Sequence, residues 1–313
     1  MTGERIEKVV LTATIDTECD HDPNWARSKP LTFHSITMGV PERLQPAFDA
    51  AGAVPTYLLT VEVMEDDDSV QALRALKGRY EFGTHLHSAF IEPEKKFQDY
   101  AGIDSPDFQC HCPPDIESKK LENLTRLFEN RFGYAPKSFR AGRFGAGANT
   151  IDALERLGYV TDTSVTPYIR WPHPDGPVDY RHAPEQPYYP AEGSLTKPGS
   201  YRPDRLLEIP VSMYPRWLRG PRWLRPWFSS VANMKKVIHH QLRRHRDAPV
   251  VVVNMMFHSM EVIPAASPYP QSESDVRQYL DDLGEILHWA GAEGIEFCGI
   301  TEAANLVNQA NSG

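Results

Sequence analysis

VVLTATIDTECDHD, residues 9–22, places a run of β-branched and apolar residues directly before a cluster of acids. The run at 9–15 reads as a strand, with Asp16 and Glu18 at its C-terminal end. Further stretches of the same kind lie at 54–59, 80–87, 138–140, 159–161, 206–209, 250–257 and 295–299, giving eight candidate strands. Helical patterns at 42–51, 69–76, 117–132, 150–157 and 274–290 separate several of them. Leu121, Leu124, Leu127, Phe128 and Phe132 recur at the helical period, and Gly133 follows as a C-terminal stop. Asn149 reads as the N-cap of the next helix and Gly158 as its end. Strands that alternate with helices predict an α/β fold on a mainly parallel sheet, organised as one domain over 1–313.

Polar residues fall at the C-terminal ends of these strands. Asp16 and Glu18 end the first, His85 and His87 the third, Arg140 the fourth, and His258 the seventh. In parallel α/β folds that edge gathers catalytic groups, because strands hold the side chains while loops surround an open mouth. Alternation puts Asp16 and Glu18 on one face of their strand, and His85 and His87 on one face of theirs. Two imidazoles and a carboxylate form the donor set of a catalytic Zn2+ that keeps a fourth position for water. Asp20, His21 and Asp22 offer donor atoms in place of Glu18. Each residue alone has an ordinary alternative: a hydrogen-bonded core histidine, an acidic loop, a salt-bridged arginine. Their joint occurrence at successive strand ends favours a site.

A net charge of -9 and a pI near 5.7 argue against nucleic-acid binding, which requires clustered basic surface, and favour a neutral substrate. The four cysteines are too few for a disulfide framework in a chain of 313 residues. Cys110, His111 and Cys112 lack the usual zinc spacing and a second ligand pair, which favours a structural or substrate-side use. The charged N-terminus at 1–8 and the short apolar run after it fit neither a signal sequence nor a membrane span, so the expected location is cytoplasmic.

Residues 167–203 form a long irregular excursion, rich in Pro, Tyr, His and Asp, with Trp171, Tyr180, Tyr188 and Tyr189. These aromatics suit either a wall on which sugar rings stack or the packing of the excursion onto the body. RWLRGPRWLRPWF at 216–228 sets Trp217, Trp223 and Trp227 among four arginines. Such a segment suits peripheral contact with a membrane or an anionic lipid-linked sugar; its prolines and glycine equally suit a buried connector.

IDTE at 15–18, EFGTHLH at 81–87, SFRAGRFG at 138–145 and MMFHSMEV at 255–262 resemble, in order, the motifs of the polysaccharide deacetylases. That family is also called the nodulation-factor deacetylase homology group, or carbohydrate esterase family 4. PTYLLT at 55–60 and LEIPV at 207–211 resemble its scaffold strands. The resemblance implies a distorted (β/α) barrel of about seven to eight mainly parallel strands and a divalent metal, commonly Zn2+. It implies Asp16 as general base, Arg140 as the arginine orienting it, and His258 as the acid that protonates the departing amine. Glu18, His85 and His87 would hold the metal, and the backbone around Arg143 and Phe144 the oxyanion. Glu261 stands in the last motif, where it or Asp162 could orient His258. The usual adjacent aspartates are replaced by Asp16-Thr17-Glu18, and the usual His-x3-His by His85-Leu86-His87, as in an intracellular branch of the family with altered or absent metal.

The resemblance implies a metal-dependent hydrolase that removes an N-acetyl or other N-acyl group from an amino sugar in a glycan or lipid-linked glycan. A metal-independent hydrolase of cyclic amides or ureides is the second reading. A catalytically silent carbohydrate-binding protein is the third, although such a protein needs no acid and base pair.

Overall fold

The computed structural model describes residues 8–27, 29–95, 108–202 and 205–312. Most of the charged N-terminus, and the end of the excursion at Pro203, lie outside the described residues. Eight strands form the main sheet: β1 (Lys8–Thr17), β2 (Pro55–Leu59), β3 (Glu81–Leu86), β4 (Ser138–Ala141), β5 (Thr161–Asp162), β6 (Leu207–Glu208), β7 (Val250–His258) and β8 (Glu296–Phe297). Their order is β6-β5-β4-β3-β2-β1-β7, with β8 also pairing β1, and every pairing is parallel. Each coincides or overlaps with a strand expected from the sequence.

β1 is buried along nearly its whole length, as a central parallel strand covered on both faces must be. The sheet curls until β6 and β7 approach, but no ladder joins them. Single bonds span the gap: Ser212 N–H donates to Asn254 O at 2.9 Å, and Met256 N–H to Leu224 O at 3.3 Å. This open seam is what distorts the barrel.

Helices cover the outside. A π-helical segment, Ser35–Leu44, runs into α1 (Gln45–Ala51). It starts well before the expected 42–51 because Asp20, far away in sequence, accepts from the N–H groups of His34 at 2.8 Å and Ser35 at 2.9 Å. α2 (Val61–Glu65) and α3 (Asp67–Arg74) follow β2, and α4 (Pro114–Phe132) follows β3. α4 stops at Gly133, whose φ of 82° would cost an L side chain about 1–2 kcal/mol. α5 (Ala148–Arg156) starts from Gly147 rather than Asn149, because Thr150 Oγ1 accepts from Gly147 N–H at 2.9 Å. α6 (Val231–Arg244), α7 (Glu273–Ala292) and α8 (Ile300–Ser312) complete the layer.

Candidate active site

Two register pairs set the site. Asp16 on β1 stands opposite His258 on β7, and His85 on β3 opposite Arg140 on β4. Neighbouring positions in parallel strands share a face, so these four side chains point into one mouth. Glu18 and His87 lie just past the ends of β1 and β3, two residues on from Asp16 and His85, and turn the same way. Gly142 makes room for this: a Cβ there would stand 2.8 Å from His87 Nδ1 and 2.6 Å from Leu86 O.

Each carboxylate is held by an arginine through one oxygen and leaves the other facing the mouth. Arg140 Nη1 donates to Asp16 Oδ1 at 2.6 Å, while its Nε donates to Thr163 O at 2.9 Å. Arg27 Nη2 donates to Glu18 Oε2 at 3.3 Å. Asp16 Oδ2 lies 3.9 Å from His85 Nε2 and 3.8 Å from His258 Nε2. Glu18 Oε1 lies 3.4 Å from His85 Nε2, 3.5 Å from His87 Nε2 and 4.0 Å from His258 Nε2. Burial pushes the Asp16 carboxyl up, but Arg140, then His85 and His258, outweigh it and lower the pKa. Burial also opposes ionisation of Glu18, yet His87 and His85 hold it well below the ordinary carboxylate range. Both are anionic at neutral pH.

His85 Nδ1 lies 3.0 Å from Arg140 O, which can only accept, so Nδ1 carries a proton and Nε2 is the nitrogen turned to the mouth. Burial lowers the pKa of this ring, but Asp16 and Glu18 outweigh it and raise it, so a bound cation would take the place of a proton on Nε2. Burial lowers the His87 pKa, keeping that ring neutral, and its Nε2 is buried without a hydrogen-bond partner. A buried imidazole nitrogen left unpaired beside a carboxylate calls for a partner, and an ion is one that suits it. Donor atoms about 2.1 Å from one tetrahedral Zn2+ stand roughly 3.4 Å apart, close to the 3.4 and 3.5 Å found between Glu18 and the two histidines. Glu18, His85 and His87 therefore fit a divalent metal, and Asp16 and His258 stand beside Glu18.

Glu261, not Asp162, stands behind His258. Its Oε1 lies 3.0 Å from His258 Nδ1 and accepts from His258 N–H at 3.1 Å. Asp162 is occupied on β5, where Ser164 Oγ donates to its Oδ1 at 2.7 Å. Arg225 pairs with Glu261 and places Nη2 3.0 Å from His258 Nδ1. Burial pushes the Glu261 carboxyl up, but Arg225 and then His258 bring it below its usual value. Two partners meet Nδ1: Glu261, which accepts when Nδ1 carries a proton, and Arg225, which donates when it does not. The tautomer turned to Arg225 and the imidazolium both carry a proton on Nε2, the nitrogen that faces Asp16, and these are the forms in which His258 can act as a general acid. Fully buried behind the ring, Glu261 is a positioning residue.

Arg143 and Phe144 form a turn with φ of 54° and 59°, a backbone state that non-glycine residues rarely hold. Tyr180 Oη fixes it by donating to Phe144 O at 2.7 Å. Arg143 is exposed; the Phe144 ring borders the site, 5.9 Å from Arg140 Cζ. Trp171 stacks on that ring at 5.3 Å and Trp223 lies at 5.9 Å, so both irregular segments supply one wall of the mouth. Tyr180, Tyr188 and Tyr189 instead pack the excursion onto the body.

Of the acids offered in place of Glu18, Asp20 caps the Ser35–Leu44 segment and Asp22 Oδ1 closes a local turn by accepting from Asn24 N–H at 2.7 Å. His21 comes within 3.9 Å of Glu18 Oε2, and burial lowers its pKa to about 3. No disulfide joins the four cysteines, and among the described residues no potential ligand group includes one. His111 stands against His173, with ring centroids 4.4 Å apart. Pattern reading of the sequence does not reach Arg27, Arg225 or Trp25, whose ring lies 5.2 Å from that of His258.

No sequence-family model and no curated protein sequence matches this chain. Its structure is similar to that of a probable polysaccharide deacetylase from Pseudomonas aeruginosa PAO1, with a TM-score of 0.55 and 13% identity over 97% of this chain and 92% of that one. It is similar to that of Puue allantoinase, with a TM-score of 0.55 and 14% identity over 97% and 91% of the two chains. A putative polysaccharide deacetylase from Mycobacterium smegmatis matches with a TM-score of 0.50 and 15% identity over 99% and 92%. The chain therefore has a polysaccharide-deacetylase-like fold.

Proposed function

We propose that this chain is a zinc-dependent hydrolase that removes an N-acetyl or other N-acyl group from an amino sugar carried in a glycan or on a lipid. One observation carries the reading: the free oxygens of two arginine-anchored carboxylates converge with the Nε2 atoms of His85, His87 and His258.

Glu18, His85 and His87 would hold the ion. When bound there, a divalent cation acidifies a water and polarises the acyl carbonyl. Asp16 Oδ2 accepts the proton of the attacking water, and the Arg140 contact keeps the other oxygen from turning inward. His258 Nε2–H donates to the departing nitrogen, which as a poor leaving group must be protonated as the C–N bond breaks. Phe144 and Trp171 offer an aromatic face for the sugar.

The test is acetate release from N-acetylated sugars, nucleotide sugars and lipid-linked sugars, run beside metal analysis of the purified protein. We expect release from at least one class, loss of turnover on chelation, and an inactive but folded Asp16→Asn variant. Normal turnover by that variant would remove Asp16 as base.

Hydrolysis of a cyclic amide or ureide without metal is the second reading, and the fold likeness to an allantoinase favours it. Activity indifferent to chelators, on a protein without bound metal, would select it. A silent sugar-binding role leaves the approach of His258 Nε2 to the anchored Asp16 without purpose.

A further inference from the structure

Residues 209–246 contain nine lysines and arginines and no aspartate or glutamate, in a chain of net charge -9. Within this basic stretch Met213–Tyr214 pairs antiparallel with Arg222–Trp223, and the loop between them carries Trp217 and Leu218. These two neighbours are 90% and 92% exposed, far more than any other large apolar residue described. Arg216 Nε donates to Gly220 O at 2.7 Å and closes the loop beneath them. Single exposed apolar residues are ordinary, but an adjacent Trp and Leu at the tip of a closed hairpin are not. Arg225, Lys235, Arg244 and Arg246 meet carboxylates. Arg216, Arg219 and Arg222, which surround the tip, are not among them. A pocket of about 360 Å³ at the hairpin's foot is lined by Arg216, Arg222, Trp223 and Phe228 with Pro221 and Asn233.

We infer that the 215–221 loop docks this protein on a bilayer bearing anionic lipid. Trp217 and Leu218 enter the boundary between headgroups and acyl chains, Arg219 meets the negative surface, and the pocket between Arg216 and Arg222 receives a lipid phosphate. No described helix is long and apolar enough to cross a membrane, so contact is peripheral. The hairpin joins the tip to the chemistry: Trp223 lies 5.9 Å from Phe144, and Arg225 Nη2 lies 3.0 Å from His258 Nδ1. A bilayer at the tip therefore brings the mouth close to its surface. Resting on the hydrolase reading, this narrows the substrate to an acylated amino sugar attached to an anionic lipid carrier.

Docking is read without substrate, by co-sedimentation with vesicles of phosphatidylcholine alone and of phosphatidylcholine with phosphatidylglycerol. The wild type should pellet with the anionic vesicles and release as salt rises. The Trp217→Ser, Leu218→Ser double variant should lose binding, and Arg219→Glu should weaken it roughly tenfold or more. Both should keep wild-type melting curves and hydrolyse a water-soluble acylated sugar at the wild-type rate. No binding of wild type to anionic vesicles, or equal binding by the double variant, overturns the inference. Wild-type self-association that the double variant loses, without vesicle binding, overturns it too and makes the tip a surface between copies of this chain. A docked protein that hydrolyses no acylated sugar removes the hydrolase reading and leaves docking intact.

Discussion

Arg140 holds Asp16 by one oxygen only: Nη1 donates to Oδ1 at 2.6 Å, and Oδ2 stays 3.9 Å from His85 Nε2 and 3.8 Å from His258 Nε2. The same guanidinium reaches Thr14 Oγ1 at 2.5 Å and Thr163 O at 2.9 Å, so β1 and the residue just past β5 fix its plane. Lysine keeps the charge but cannot make these contacts together. Arg140→Lys should lower kcat about 100-fold with little change in KM, since a base displaced by an ångström loses its aim. Unsatisfied groups left on Thr163 and Asp16 should cost about 1–3 kcal/mol in denaturant unfolding. Unchanged kcat would mean that Asp16 needs no such anchor.

Glu261 and Arg225 act on the leaving group through His258, and that role separates from a structural one by substrate. An amide needs its nitrogen protonated, whereas an aryl ester expels a stable phenolate without help. Glu261→Gln should lower amide turnover about 100-fold while hydrolysis of 4-nitrophenyl acetate falls far less. Equal losses on both substrates would assign the pair to folding alone.

The ligand set is open to a measurement without activity. Zinc that binds only the folded state raises the melting temperature in proportion to log concentration. His87→Ala removes one donor of three and should abolish most of that shift, measured against the variant's own metal-free melting temperature so that the packing and charge lost with the ring cancel. A full zinc shift in the variant would place the ion elsewhere.

The sheet was legible because parallel strands covered on both faces write themselves as short β-branched runs, and the polar residues ending those runs mark the mouth. Register was not legible: nothing local tells that Asp16 faces His258 or that His85 faces Arg140. Arg27, Arg225 and Trp25 reach the site from loops whose course depends on contacts distant in sequence. α6 and α8 differ, since their signal was present. Val231, Met234, Val237 and Ile238 recur at helical spacing, as do Ile300, Ala303, Ala304 and Val307. Within the 216–228 segment Leu224 and Arg225 are buried and Trp217 is exposed, a division that the run of alternating Trp and Arg does not announce.

Away from the mouth, Glu117 ties α4 to its surroundings. Its Oε1 accepts from Gln109 Nε2 at 3.1 Å and from the hydroxyl of Thr150 on α5, while Oε2 is buried without a partner. Burial raises the carboxyl from 4.5 to about 7, and the two donors offset this only in part. The folded chain thus prefers the protonated acid more strongly than the unfolded chain does. The stability this confers is complete below 4.5 and is lost as pH rises toward and past about 7. Glutamine keeps the acceptor and stays neutral at every pH. Glu117→Gln should therefore match wild type in acid and exceed it by about 3 kcal/mol above neutrality, since each tenfold change in proton affinity is worth roughly 1.4 kcal/mol. Denaturant unfolding of both proteins across that range measures the difference and cancels groups common to them. A difference that does not change with pH would show that Glu117 titrates alike in the folded and unfolded chain.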